Sequence, residues 1–116
     1  MVAALGPVML RELQIERSQS HFAKEIIDQI EITKLFAEYS RRHGVSFHAL
    51  RTRQAGARRF ISFHLLVPDA WTVARAHQLS EEIESRIRSM VPNAAVFTHL
   101  EPLSDPSSYD DQELDR

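Results

Sequence analysis

The chain has 116 residues, 43% hydrophobic and 26% charged, with a formal net charge of -2 and no cysteine. That length suits one domain, and the composition is that of a globular chain, not a disordered one. The lack of cysteine excludes disulfides, thiolate metal sites and a cysteine nucleophile.

Residues 1–20 read as an N-terminal extension, partly helical. Met1 to Leu10 carry no charge, Gly6-Pro7 breaks the run, and a second helical stretch could begin near Val8. Arg11 and Glu12 end the apolar run well short of the roughly 20 residues a spanning helix needs. The first charge follows the apolar stretch, whereas a secretory signal places it before. No direct membrane insertion is expected, and the expected location is cytoplasmic.

From about Ser20 the pattern is helical. Phe22, Ile26, Ile27 and Ile30 form one stripe, and Ile32, Leu35, Phe36 and Tyr39 a second, which predicts a helix covered on more than one side. Arg41, Arg42 and His43 complement the dipole of its last turn, and Gly44 suits the C′ position. Residues 45–53 and 58–67 read as two strands. The intervening Gln54-Ala55-Gly56-Ala57 suits a three-residue hairpin loop with glycine in the left-handed position. Thr72 is a candidate N-cap for a helix to about Met90, with a core stripe of Val73, Ala76, Ser80, Ile83, Ile87 and Met90. Pro92 stops it, and residues 94–101 form a third strand. The order helix, strand, strand, helix, strand predicts an α+β domain over 21–103, with two helices on one face of a three-stranded sheet. Residues 104–116 form an acidic tail expected to be disordered. After Glu101 it holds five acids and one base, and residues 1–101 keep 11 acids and 13 bases.

Strand side chains alternate between faces. Val45, Phe47, Ile61, Phe63, Leu65, Val96, Thr98 and Leu100 are assigned to the helices. The open face then receives Ser46, His48 and Leu50; Phe60, Ser62, His64 and Leu66; and Phe97, His99 and Glu101. Three of the six histidines and one carboxylate thus share a face. A loop of Gln54, Ala55 and Gly56 pairs Arg53 with Ala57 and sets His48 opposite Ser62, diagonal to His64. The neighbouring even register sets His48 directly opposite His64, and an odd shift would split the two rings between faces. Imidazole plus carboxylate suits zinc or a related divalent ion. Leu50, Phe60, Leu66 and Phe97 would leave that face apolar, which a homodimer would bury.

The segment Gly44-Val45-Ser46-Phe47-His48-Ala49-Leu50-Arg51-Thr52-Arg53, followed by Gly56 and by Arg59-Phe60-Ile61-Ser62-Phe63-His64-Leu65, resembles the cytoplasmic C-terminal domain of cation diffusion facilitator transporters. Ala76-His77 and His99-Leu100-Glu101-Pro102 extend the resemblance in the family's order, over roughly residues 26–103. The resemblance implies a metallochaperone, ferredoxin-like αββαβ fold with a mixed sheet. It also implies a V-shaped homodimer that binds zinc, or Cd2+, Co2+, Ni2+ or Cu2+, near the dimer interface and regulates transport through a membrane domain. Carried over position by position, it marks His48, His64, His77, His99 and Glu101 as metal ligands, with the carboxylate able to bridge two ions. His77 is not found by strand parity and rests mainly on the resemblance.

Ala49 departs from the family, which often has Asp there. The membrane domain is absent from the sequence, so the chain reads as a transporter fragment or a free-standing relative. The Met start and the twenty extra residues favour the latter, which would buffer metal, sense it, or pair with a membrane cation transporter. The main alternative is a metal-independent dimerisation or partner-binding module with a vestigial site. Nucleic-acid binding through Arg41, Arg42, Arg51, Arg53, Arg58 and Arg59, with Phe60 and Phe97 as stacking platforms, is disfavoured by the small net charge. A flat sheet offers no pocket for catalysis, so no enzyme is expected.

Overall fold

The computed structural model describes residues 20–104, with side chains from residue 23 onward. The expected helical stretch before Ser20, the Phe22 side chain and the acidic tail beyond Ser104 lie outside the described residues. The elements are α1 (Ser20–His43), β1 (Ser46–Ala55), β2 (Arg58–Val67), α2 (Val73–Met90) and β3 (Ala94–Pro102). The sheet order is β1-β2-β3, with β1 antiparallel and β3 parallel to the central β2. This is the expected α+β architecture with a mixed sheet.

Helix α1 ends as its sequence dictates. Gly44 takes φ +71° and donates its N–H to the Ser40 carbonyl at 3.0 Å, closing the last turn. At 3.6 residues per turn, Asp28, Ile32, Leu35, Phe36 and Tyr39 share one side of the helix, and all are buried. Ile26, Ile27 and Ile30 fall on the opposite side and are exposed. The expected cover on both sides is therefore corrected: a two-layer domain has only one sheet for α1 to meet. Phe36 stacks on Phe47 at 4.0 Å between ring centroids and meets Phe63 at 4.8 Å.

Helix α2 starts at the expected cap, where the Thr72 hydroxyl accepts the Arg75 N–H at 3.1 Å. Its buried residues are Ala76, Leu79, Ser80, Ile83 and Ile87. Val73, assigned to the core, is exposed, because at 3.6 residues per turn it sits at the margin of the buried stripe, which takes in Leu79 instead. The two helices are latched through Tyr39, whose hydroxyl donates to Glu82 at 2.7 Å and accepts from Arg86 at 3.3 Å. Burial first, and the Glu82 carboxylate second, push the Tyr39 phenol above its usual 10.0.

The hairpin corrects the sequence reading most. Its loop has two residues, Gly56 and Ala57, not three, with Ala55 paired to Arg58. Gly56 adopts φ +62° in the first loop position, as a II′ turn requires. A Cβ there would touch nothing within 4 Å, so the dihedral and not space calls for glycine. Continued without interruption, this register would set His48 opposite Leu65, on the face away from His64. A β-bulge between His48 and Arg51 adds one residue to β1 and restores His48 opposite His64. Ala49 carries the bulge at φ +59°.

The bulge also exchanges the faces of everything that follows it in β1. Leu50, assigned to the open face, packs on the core. The Thr52 hydroxyl accepts from the Gln29 side chain of α1 at 3.0 Å. Arg51 and Arg53 point outward and are exposed.

Arg59 is likewise not part of a solvated basic cluster. It is only 4% exposed, and its guanidinium meets the buried Asp28 carboxylate of α1 at 2.7 Å. Its position follows from parity, since it shares a face with Ile61 and Phe63. Its N–H also bonds the carbonyl of Asn93, the φ +59° residue that leads into β3.

Two predictions follow from these contacts. Removing one partner of a buried ion pair strands the other, so Asp28→Ala should lower unfolding free energy by about 3–5 kcal/mol, measured by urea denaturation. An alanine at positive φ is held against a steric cost of about 1–2 kcal/mol. Ala49→Gly should therefore leave stability equal or higher, and Ala49→Val should lower it, as read by thermal melting.

Candidate metal centre

The central strand β2 and its parallel neighbour β3 build the centre. Parallel register sets His64 beside His99 and Leu66 beside Glu101. Residues two apart on β3 share a face, so both imidazoles and the carboxylate point to the side of the sheet away from the helices. The His64 and His99 rings meet edge to face with centroids 4.8 Å apart. The Glu101 Oε2 lies 3.5 Å from His64 Nδ1 and 3.2 Å from His99 Nδ1. One ligand atom from each of the three lies within 4.8 Å of the others, which makes this the single such group of three or more among the described residues.

The burial is graded. Glu101 is 9% exposed, the His64 side chain is 17% exposed, and that of His99 is 64% exposed. The carboxylate forms the floor and His99 the rim. Glu101 Oε1 and His64 Nδ1 are buried and make no hydrogen bond. A buried carboxylate oxygen without a donor is costly, and a cation bound among these groups would relieve that cost. The donor chemistry fits as well. Ligands at about 2.0–2.2 Å around a tetrahedral ion stand roughly 3.4 Å apart, close to the two nitrogen–oxygen separations present.

Of the residues singled out from the sequence, His64, His99 and Glu101 come together. His48 lies directly across from His64 in the β1–β2 register but outside the group of three. His77 is on α2, exposed, 3.8 Å from Glu81 one helical turn on, and also outside the group. The open face is less apolar than expected. Leu66 is fully buried, Leu50 is on the helix side, Phe60 is half-buried, and Phe97 alone of the four is exposed. The sequence reading did not place Arg51 here. It lines a hollow of about 370 Å³ together with His64, His99, Ser62 and Phe97. The loop register turns this arginine outward, and the bulge brings His48 to the same face.

Residues 21–103 match the family model of the cytoplasmic domain of cation efflux proteins. The uncharacterized transporter sll1263 of Synechocystis sp. is 54% identical over 78 residues, covering 67% of this chain and 25% of that protein. The cation-efflux pump FieF of Pectobacterium atrosepticum is 44% identical over 57 residues, covering 49% of this chain and 19% of the pump. The chain thus spans a quarter or less of the length of these relatives. Among solved structures, the zinc form of CzrB aligns with a TM-score of 0.60 at 33% identity, covering 65% of this chain and 84% of that one. The metal-bound C-terminal domain of the CzcD transporter from Thermotoga maritima aligns at 0.61 with 27% identity, covering 72% and 95%.

If Glu101 is held for a cation and not for the fold, removing its charge should relieve the metal-stripped chain. Glu101→Gln should raise its unfolding free energy by about 1 kcal/mol. A fall of similar size in a denaturant titration would assign the carboxylate a structural role instead.

Proposed function

The chain belongs to the cation efflux family, over that family's cytoplasmic domain, and on that premise we propose that it binds divalent metal, zinc foremost, as a homodimer that regulates or buffers metal efflux. The observation that carries this reading is the buried Glu101 oxygen without a hydrogen bond, set beside two imidazoles that contact the same carboxylate. The zinc and metal-bound forms of its structural relatives support it.

In this reading His64, His99 and Glu101 hold the ion, and His48 joins from the opposite strand. His77 lies on α2, apart from the group, and enters from a second copy of the chain. An ion held by residues of two copies draws them together, and that change in pairing is the signal passed to a membrane transporter. The role has no catalytic step and needs no nucleic acid. Cadmium, cobalt, nickel and copper share the ligand preference, so geometry and availability decide among them.

The test is zinc titration by calorimetry on metal-stripped protein, with oligomeric state followed by light scattering. Saturable binding should accompany a more stable dimer, and the affinity should fall on acidification, because an imidazole must shed its proton to ligate. Replacing both His64 and His99 by Ala should weaken binding by well over about tenfold. Unchanged affinity in that variant would overturn the ligand assignment. A dimer indifferent to zinc would make the domain a pairing module with a vestigial site.

A further inference from the structure

A second copy that gives His77 to the metal centre must present the surface on which His77 stands, and the fold fixes that surface. The sheet order leaves β3 at an edge. Helix α2 has two flanks beside its buried stripe. One carries Glu82 and Arg86, which meet Tyr39 of α1. The other carries Glu84, whose carboxylate accepts the Thr98 hydroxyl of β3 at 2.6 Å. At 3.6 residues per turn, Val73, His77 and Glu81 share the flank of Glu84. They stand on the β3 side of α2, where no further strand lies among the described residues. Val73 is 83% exposed and the His77 side chain 62% exposed.

The heights agree as well. Glu84 lies about 16 Å along α2 from Val73, and Thr98 about 13 Å along β3 from Pro102. Their hydrogen bond pins the two scales together. Val73 is then level with the end of β3, and it shares a cleft with Pro102. His77, about 6 Å further along α2, is level with the end of β3 that carries His99 and Glu101. A two-fold axis parallel to α2 exchanges two copies without changing height. Turned about it with their β3 edges side by side, each copy lays the outer flank of its α2 over the open-face margin of the other. His77 arrives at the height of the other copy's His99 and Glu101. An axis perpendicular to the sheet would reverse the heights and set α2 against α2, away from both open faces.

We propose, on the footing of the homodimer reading above, that two copies pair edge to edge along β3 about this axis. Each gives His77 to the other's metal centre and closes Val73 over the other's Pro102 and Glu101. Pro102 is exposed and Glu101 lies just inside it, so the covering valine removes water from the rim of the carboxylate. Contacts are reciprocal, as a two-fold interface requires. Ile26, Ile27 and Ile30, on the far side of α1, take no part.

Val73→Asn and Ile27→Asn each put a neutral polar group at an exposed position, which leaves the core intact, as a thermal melt checks. The zinc-loaded full chain is followed through dilution by light scattering. Val73→Asn should weaken its dimer about tenfold or more, because symmetry counts the lost burial twice. Ile27→Asn should leave the dimer unchanged. A chain with His77→Ala, and one with both His64→Ala and His99→Ala, should each bind zinc weakly. Their equimolar mixture should regain tight sites in calorimetry, because a mixed pair joins the first chain's centre to the second chain's His77. No regain overturns the proposal, as does a Val73→Asn dimer of unchanged strength. A dimer split by Ile27→Asn assigns the pairing to α1 and also overturns it. All three results leave the homodimer reading standing while the original chain pairs with zinc. An original chain that stays monomeric with zinc overturns that reading, and this one with it.

Discussion

A strand can offer His48 to the same face as His64 only if its register is even at that point, and the two-residue loop at Gly56 imposes an odd one. The extra residue at Ala49 reconciles them. It costs a positive φ in a residue that does not favour it, and it sets which side chains reach solvent on both sides of the kink. Before it, Phe47 enters the core and His48 faces outward. After it, Leu50 and Thr52 turn to α1, and Arg51 and Arg53 face outward. The hydrophobic layer and the character of the open face therefore both depend on one backbone kink. Sites that re-aim a side chain commonly use a bulge for that purpose.

Two buried carboxylates show two ways of meeting the same cost. Asp28 has a guanidinium at 2.7 Å, and with Arg59 it joins α1 to the start of β2. Glu101 has two imidazoles at longer range and one oxygen without a donor. The first faces a full positive charge within the fold and serves architecture. The second faces imidazoles at longer range, and a cation bound among them would offset the cost of its burial.

Where local chemistry and period agree, the sequence was easily read. Gly44 and Thr72 end and begin helices where their conformations demand, and β2 and β3 alternate without interruption, so His64, His99 and Glu101 could be placed on one face by counting. The bulge left no such sign. A glycine at position 49 would have flagged a left-handed residue, whereas alanine reads as ordinary strand. Leu50 was consequently set on the wrong face, and with it part of the apolar face that had argued for pairing. The isoleucines at 26, 27 and 30 misled differently: apolar spacing reports which residues could be covered, not how many layers exist to cover them. Arg59 was hidden by its neighbours, because a run of arginines at a hairpin suggests solvent even when parity points inward.

The parallel pairing of β2 with β3 carries a consequence for the order of events during folding. His64 and Glu101 are neighbours only after the chain has run through α2 and returned, since parallel strands need a crossover connection. The hairpin can close locally, but the cluster of His64, His99 and Glu101 needs the longest-range contact of the sheet, and contacts of that kind form late. No short stretch of the unfolded chain holds the set. A cation that preferred the assembled cluster would therefore favour the whole folded domain over the open chain by mass action, and its availability would then set how long β3 stays docked.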